Sequence, residues 1–250
     1  MKKNLKLFYH FCARNFHYKL WLDEQLGLIK DIGILNDTCD GLVNMTLIAD
    51  IIQFHEIEEY LQQNYNFVNI IQRIIDPVPE LKQKITLDPL FELTDYHYEG
   101  YTLNKIHEFC LSNNDDYKIL YFHTKGIMMH YVENFEKFPH ERCYDWRQLM
   151  QHFCLSKYKN CVEKLDTYDL VSVNWRDHPF PHFSGNFWWA TSKYIKTLTD
   201  PIDTKSYYKG NDQIRVAYEF WVASNSPNYY ELHNSKVNHH LNCYPKINYT

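Results

Sequence analysis

The stretch KILYFHTKG, Lys118 to Gly126, decides the fold. Four large apolar residues, Ile119-Leu120-Tyr121-Phe122, end abruptly in His123-Thr124-Lys125-Gly126. A continuous apolar run bounded by polar residues predicts a strand over 117–122, buried on both faces as in a parallel sheet. In an open α/β sheet the ligand crevice lies outside the carboxyl ends of the strands, so the first polar residues after the run are aimed into it. A lysine there suits a phosphate or another anion, and Gly126 permits close backbone approach or a positive φ. A plain β-turn carrying a solvated lysine fits the same residues.

Strands and helices alternate outward from this run. A first strand is expected over 5–12, a helix over 20–32 on the face of Leu22, Leu26, Ile29 and Ile32, and a second strand over 42–49. A short helix over 55–63 and a strand over 67–75 follow, then an irregular span 76–101 with Pro77, Pro79 and Pro89. Thr102 is the expected N-cap of a helix carrying Leu103, Ile106 and Cys110. Asp145 is expected to cap a long helix whose face is Trp146, Leu149, Met150, Phe153, Tyr158, Cys161 and Leu165. Strands over 168–174 and 185–190, a helix over 212–223 and an irregular tail from about 225 to 250 complete the chain. The alternation predicts one α/β domain over 1–250, a Rossmann-like, mostly parallel sheet flanked by helices.

Bulk composition agrees with a single packed domain. Of 250 residues 45% are hydrophobic and 17% aromatic, enough for a real core. No run approaches the roughly 18–20 apolar residues that span a bilayer. At the N-terminus Lys6 and His10 interrupt the apolar pattern, so Leu5, Leu7, Tyr9 and Phe11 read as a strand rather than a signal peptide. A net charge of −5 gives no expectation of nucleic-acid binding. Seven cysteines without a CxxC read as reduced thiols, which places the protein in the cytoplasm.

Four further constellations could carry chemistry. Arg147, in DWRQLM, could fork a phosphate or carboxylate, or point outward from a capped helix. In VNWRDHPFPHFSGNFWWA, Asn174, Trp175, His182, Ser184, Gly185 and Asn186 combine aromatic faces with amide and hydroxyl groups, as a sugar ring requires. An aromatic core beside a Gly-Asn turn explains the same letters. In NDQIRVAYEFW, Asp212, Arg215 and Glu219 share one helical face; a carboxylate there could act as a general base, or the face could be a solvated ion-pair surface. His239 and His240 could bind a metal or a diphosphate.

KILYFHTKG, DWRQLM, YDLVSVNW, PHFSGNFWWA, the Glu-Phe-Trp helix and NSKVNHH, in this order, resemble a family of GT-A-like glycosyltransferases found in bacterial polysaccharide clusters and large DNA viruses. The HTK and WR elements also resemble the rhamnan-synthesis F-type proteins. The aromatic, asparagine-rich composition is compatible with an AT-rich viral genome, and so with a host cytoplasm. The likeness covers roughly residues 5–245. It implies a nucleotide-diphosphate sugar donor over the sheet's carboxyl ends and transfer of its sugar to an acceptor hydroxyl of a glycan or glycoprotein. Many GT-A strands equivalent to Ile119–Phe122 end in Asp-x-Asp holding a divalent ion on the diphosphate; this chain has His123-Thr124-Lys125. The implied roles are Lys125 stabilising the diphosphate, His123, Thr124 and Arg147 beside it, and residues 12–15 approaching the base and ribose. Asn174, Trp175 and 182–186 line the sugar and acceptor region, Asp212 and Arg215 flank it, and Glu219 is the base of an inverting reaction. Metal dependence is reduced or absent, with His240 as the residue that keeps Mn2+ or Mg2+ open. The competing reading is a carbohydrate-binding protein that kept the frame and lost catalysis. A nucleotidyltransferase would want a glycine-rich loop after the first strand, and FCARNFHYKL has no glycine.

Overall fold

The computed structural model describes residues 4–12, 18–34, 43–48, 85–90, 99–125, 140–201, 203 and 214–250, without the side chains of 11–12, 18–22, 30, 43–48, 85–90, 140 and 214–216. The strands are β1 (Leu5–Cys12), β2 (Val43–Ile48), β3 (Ile85–Leu90), β4 (Lys118–His123), β5 (Leu170–Ser172), β6 (Trp175–Arg176), β7 (His182–Phe183), β8 (Trp188–Thr191) and β9 (Tyr229–Glu231). The helices are α1 (Tyr18–Asp31), α2 (Gly100–Ser112), α3 (His140–Met150), α4 (Tyr158–Lys164), α5 (Ser192–Ile195) and α6 (Ile214–Trp221). A π-helical stretch, Gln151–Ser156, joins α3 to α4, and a 3-10 turn occupies Lys246–Asn248.

Seven strands form one sheet in the order β3-β2-β1-β4-β8-β5-β9. β8 pairs antiparallel with β4 and β5, and every other pairing in the sheet is parallel. The chain is thus α/β with a mostly parallel sheet, as expected. Period-two alternation sends successive side chains to opposite faces. Leu5, Leu7, Tyr9, Leu120, Phe122, Val171 and Trp189 enter one core with Leu26, Ile29, Trp146 and Met150. Phe8, Ile119, Tyr121, Leu170, Trp188 and Ala190 enter the other with Leu103, Ile106, Tyr194, Tyr218 and Trp221. Both faces of β4 are covered, which is why its sequence is apolar without a break.

Several local expectations are corrected. The span 76–101 contains β3, which pairs with β2 alone among the described residues; Pro89 is tolerated because an edge strand need not donate to the ladder on both sides. Thr102 lies within the first turn of α2 rather than at its cap, which is Glu99. Asp145 is interior to α3, which begins at His140, so Trp146 and Arg147 sit mid-helix; the long helix is broken by the π-helical stretch. Residues 185–187 form a turn before β8, and the tail carries β9 at the sheet edge. The expected helix over 55–63 and strand over 67–75 lie outside the described residues. Among the described cysteines, Cys110, Cys143, Cys154, Cys161 and Cys243 are free thiols, and burial pushes Cys110 and Cys154 up to about 12.

The α2–α6 contact depends on one missing side chain. A Cβ on Gly100 would fall 2.3 Å from Cζ of Tyr218. Gly27, in α1, has nothing within 4 Å of the equivalent point. Gly100→Ala should therefore lower the unfolding free energy by about 1–3 kcal/mol through overpacking. Gly27→Ala should raise it by about 0.5–1 kcal/mol through helix propensity. Chemical denaturation of the two variants checks both signs.

Candidate functional site

In this sheet the strand order reverses between β1 and β4: the chain leaves β1 toward β2 on one side and β4 toward β5 on the other. Crevices form at such switch points, outside the carboxyl ends. Thr124 and Lys125 follow β4 at this place, 4% and 6% exposed.

The end of β4 is held by a backbone bond from β1 and by side chains of α1 and α3. The Thr124 amide donates to the His10 carbonyl at 3.1 Å. Gln25 Nε2, from α1, donates to the His123 carbonyl at 3.2 Å, while Gln25 Oε1 accepts from the Tyr9 hydroxyl. Arg147 Nη1 donates to the Lys125 carbonyl at 3.2 Å. The rest of that guanidinium forks Glu24, Nε to Oε1 and Nη2 to Oε2, both at 3.2 Å. Gln148 and Gln151 also donate to Glu24 Oε1, at 2.8 and 2.9 Å. Arg147 is thus a buried clamp on the strand end, with Nε, Nη1 and Nη2 each donating to a protein oxygen.

His123 is a bracket as well. Its Nε2 donates to the Gly185 carbonyl at 3.0 Å, and Nδ1 lies 3.4 Å from Glu99 Oε1. Asn186 Nδ2 donates to Glu99 Oε2 at 3.4 Å and Asn186 Oδ1 accepts from Trp188 Nε1 at 2.9 Å. Gly185 (φ 98) and Asn186 (φ 59) make the turn, in the left-handed region that glycine and asparagine tolerate. A Cβ on Gly185 would meet Met150 Sδ at 2.4 Å and Trp146 Nε1 at 2.8 Å. The FSGN motif therefore packs a backbone turn onto α3. Ser184 continues it, its amide donating to the Asn174 carbonyl at 3.0 Å.

Lys125 and Glu219, ninety-four positions apart in sequence, come together here. Lys125 Nζ lies 3.6 Å from Glu219 Oε1 and 4.1 Å from the ring centre of Trp146. The Glu219 side chain keeps 19% of its surface open against 7% for Lys125, so the carboxylate is the solvent-facing member. His182 adjoins them; its Nδ1 donates to the Phe180 carbonyl at 2.7 Å, leaving Nε2 as acceptor. Burial lowers the His182 pKa, opposed first by the hydrogen bond to the Phe180 carbonyl and then by Glu219.

The tail closes the other side. Asn174 (φ 58) accepts the Ser235 amide on Oδ1 at 2.8 Å and donates from Nδ2 to His239 Nε2 at 3.1 Å. Trp175 stacks on Tyr229 at 3.7 Å, and its amide donates to Glu231. His239 is 3% exposed and stacks on Trp146 at 5.2 Å; His240 is exposed and meets the same ring edge-on. No three His, Cys, Asp or Glu among the described residues are grouped to hold a metal ion. Gly126, residues 13–15, Asp212 and the Arg215 side chain lie outside the described residues. Glu24, Gln25, Glu99 and Ser235 were not anticipated from sequence; each is a partner supplied by folding, with no motif of its own.

The chain belongs to the family described as "Domain of unknown function (DUF8361)", which matches residues 17–247. No curated protein matches it. A crystal structure described as a "putative nucleotide-diphospho-sugar transferase from Desulfovibrio desulfuricans G20" is similar over 91% of this chain and 80% of that one, at 9% identity and a TM-score of 0.36. Among the described residues no helix is long and apolar enough to cross a membrane.

Burial, and then the positive charges of Arg176, His240, Lys125 and His233, lower the His239 pKa from 6.5 to about 4. The folded state keeps this imidazole neutral while the unfolded chain takes up a proton below pH 6.5. Its contribution to stability is therefore complete above the unfolded value and is lost as pH falls from 6.5 toward about 4. His239→Gln, which offers an oxygen near Nε2 but does not titrate, should reduce the steepness of the stability–pH curve in that window. Denaturation curves for both proteins at several pH values measure it.

Proposed function

We propose that this protein is a glycosyltransferase that moves a sugar from a nucleotide-diphosphate sugar to an acceptor hydroxyl on a glycan or glycoprotein, in the cytoplasm. The observation that supports it best is the 3.6 Å approach of Lys125 and Glu219 at the switch point of the sheet. A cation that would hold a leaving anion and a carboxylate that would accept a proton stand side by side where ligands bind such folds. The resemblance of HTKG and FSGNFWWA to GT-A-like enzymes points the same way.

In this reading Lys125 binds the donor diphosphate. Its charge is buried, and a fixed cation in a water-poor site stabilises developing negative charge more than one in solvent. The clamp by Arg147 and Gln25 fixes the backbone around it, so little reorganisation accompanies charge development. Glu219, the more open partner, takes the proton of the acceptor hydroxyl as that oxygen bonds to the anomeric carbon. The bond from that carbon to the diphosphate oxygen breaks in the same step, and the electron pair leaves on the diphosphate toward Lys125. In this reading the Lys125–Glu219 contact opens as the donor enters between them, so that attack and departure take opposite faces of that carbon and the reaction inverts. For sugar and acceptor this reading assigns Asn174, Trp175, His182 and the Ser184–Asn186 turn, and the resemblance adds Asp212 and Arg215. His123 and Thr124 act by holding Lys125 in place. The charge that Asp-x-Asp and a metal neutralise elsewhere is here met by Lys125.

A thermal-shift panel of UDP-, GDP-, dTDP- and CMP-sugars, each with Mn2+, Mg2+ or EDTA, tests donor binding, because a ligand of the native state raises Tm. One nucleotide class should raise it, with EDTA present as well. Lys125→Met should abolish that shift. Glu219→Gln should keep it while lowering transfer about a hundredfold, the scale of a general base. A glycan that raises Tm with no donor effect and no turnover would move the protein to the carbohydrate-binding reading.

A further inference from the structure

His239 is held in one tautomer by a chain of hydrogen bonds that starts from the backbone. The Ser235 amide can only donate, so the Asn174 atom it meets at 2.8 Å is the carbonyl oxygen. Asn174 Nδ2 therefore faces His239 Nε2 and donates to it, at 3.1 Å. Ser235 Oγ, which receives the Val237 amide at 3.3 Å, also lies 2.9 Å from Nε2 and can donate there. The Nε2 lone pair is spent on these donors, so the ring proton sits on Nδ1. Nδ1 is shielded from solvent and has no hydrogen-bond partner among the described residues. A buried donor left unmet costs about 1–3 kcal/mol and calls for a functional account. Neither nitrogen offers a lone pair, so His239 in this state is no metal ligand.

The surroundings select the acceptor. Two fixed cations bear on the ring, Arg176 and Lys125. Arg176 is fixed against the same segment, Nη2 donating to the Val237 carbonyl at 3.0 Å and Nη1 lying 3.4 Å from Asn234 Oδ1. Lys125 and His239 both pack on the Trp146 ring. A neutral N–H donor in a positive field suits an anionic oxygen.

We propose that His239 Nδ1–H is a hydrogen-bond donor to a phosphoryl oxygen, forming with Lys125 and the Trp146 ring one diphosphate-binding wall. This rests on the transferase reading above and adds the residue from the tail that completes the anion site. It gives His239 a metal-free role.

The test uses the whole protein and inorganic pyrophosphate with EDTA present. Long-range 1H–15N spectra of the histidine rings should show His239 protonated at Nδ1. Pyrophosphate should move that Nδ1–H downfield and slow its exchange. By calorimetry, His239→Asn, whose amide nitrogen falls near the Nδ1 position, should keep pyrophosphate affinity within about threefold, while His239→Phe, which keeps the stack on Trp146, should lose about tenfold or more. Pyrophosphate bound with an unmoved His239 signal, or no binding at all, overturns the proposal; the wild-type spectrum decides even if the Phe variant fails to fold. Turnover of a nucleotide sugar with an unresponsive His239 leaves the transferase reading standing and removes this one. A responsive His239 without turnover of any donor does the reverse.

Discussion

The buried guanidinium of Arg147 is the constraint on which this crevice depends. Three peptide segments meet on it: α1 through Glu24, the end of β4 through the Lys125 carbonyl, and α3, which carries it. A buried charge is costly unless paired and hydrogen-bonded, and here the guanidinium is met by a two-pronged, half-buried carboxylate and a carbonyl. Buried ion pairs often add little net stability against apolar replacements, so the contribution of this one is best placed in position. It fixes the Lys125 backbone within reach of α3, which sets where the ammonium can go. Lysine could not substitute, because one ammonium cannot fork Glu24 and reach the carbonyl in the same plane.

Trp146, one residue before Arg147, is the surface on which the other parts converge. Its Nε1 abuts Gly185, its ring carries Lys125, and His239 and His240 pack around it. Arg147 and Trp146 thus point one helix turn at two tasks, strand-end registration and the floor of the site. The turn at Gly185 and Asn186 is drawn to the same place by His123, whose ring spans from Glu99 to the Gly185 carbonyl. A side chain at 185 would push Met150 and Trp146 away and disturb both histidine and lysine contacts.

Much of this architecture was legible in the letters. An unbroken apolar run has only one comfortable place in an α/β sheet, so β4 and its switch-point end followed from KILYFHTK alone. β1, α1 and β2 followed from periodicity. β3 did not, because proline argues against a strand unless the strand is known to be an edge, and edges are a property of the whole sheet. The early start of α3 and its π-helical continuation were hidden because Asp145 is a good cap residue wherever it stands, and nothing in DWRQLM tells a first turn from a third. In the site, the types and rough places were visible but the partners were not. Arg147 and His123 look alike in sequence whether they face a ligand or a carboxylate of the protein. Only folding brings Glu24 and Glu99, 123 and 24 positions away, to occupy them.

The histidine pair shows the same limit and also the charge logic of the crevice. From sequence, His239 and His240 are equivalent; burial separates them, since His239 is fixed by Asn174 and Ser235 while His240 stays exposed. A second buried cation beside Lys125 would have to share Glu219, which already faces the ammonium. It would add both like-charge repulsion and the desolvation of an unpaired ion. A neutral imidazole avoids both costs and still presents an N–H. The low pKa of His239 therefore belongs to the electrostatic design of the site, where one paired cation and one neutral donor can face an anion without burying unbalanced charge before it arrives.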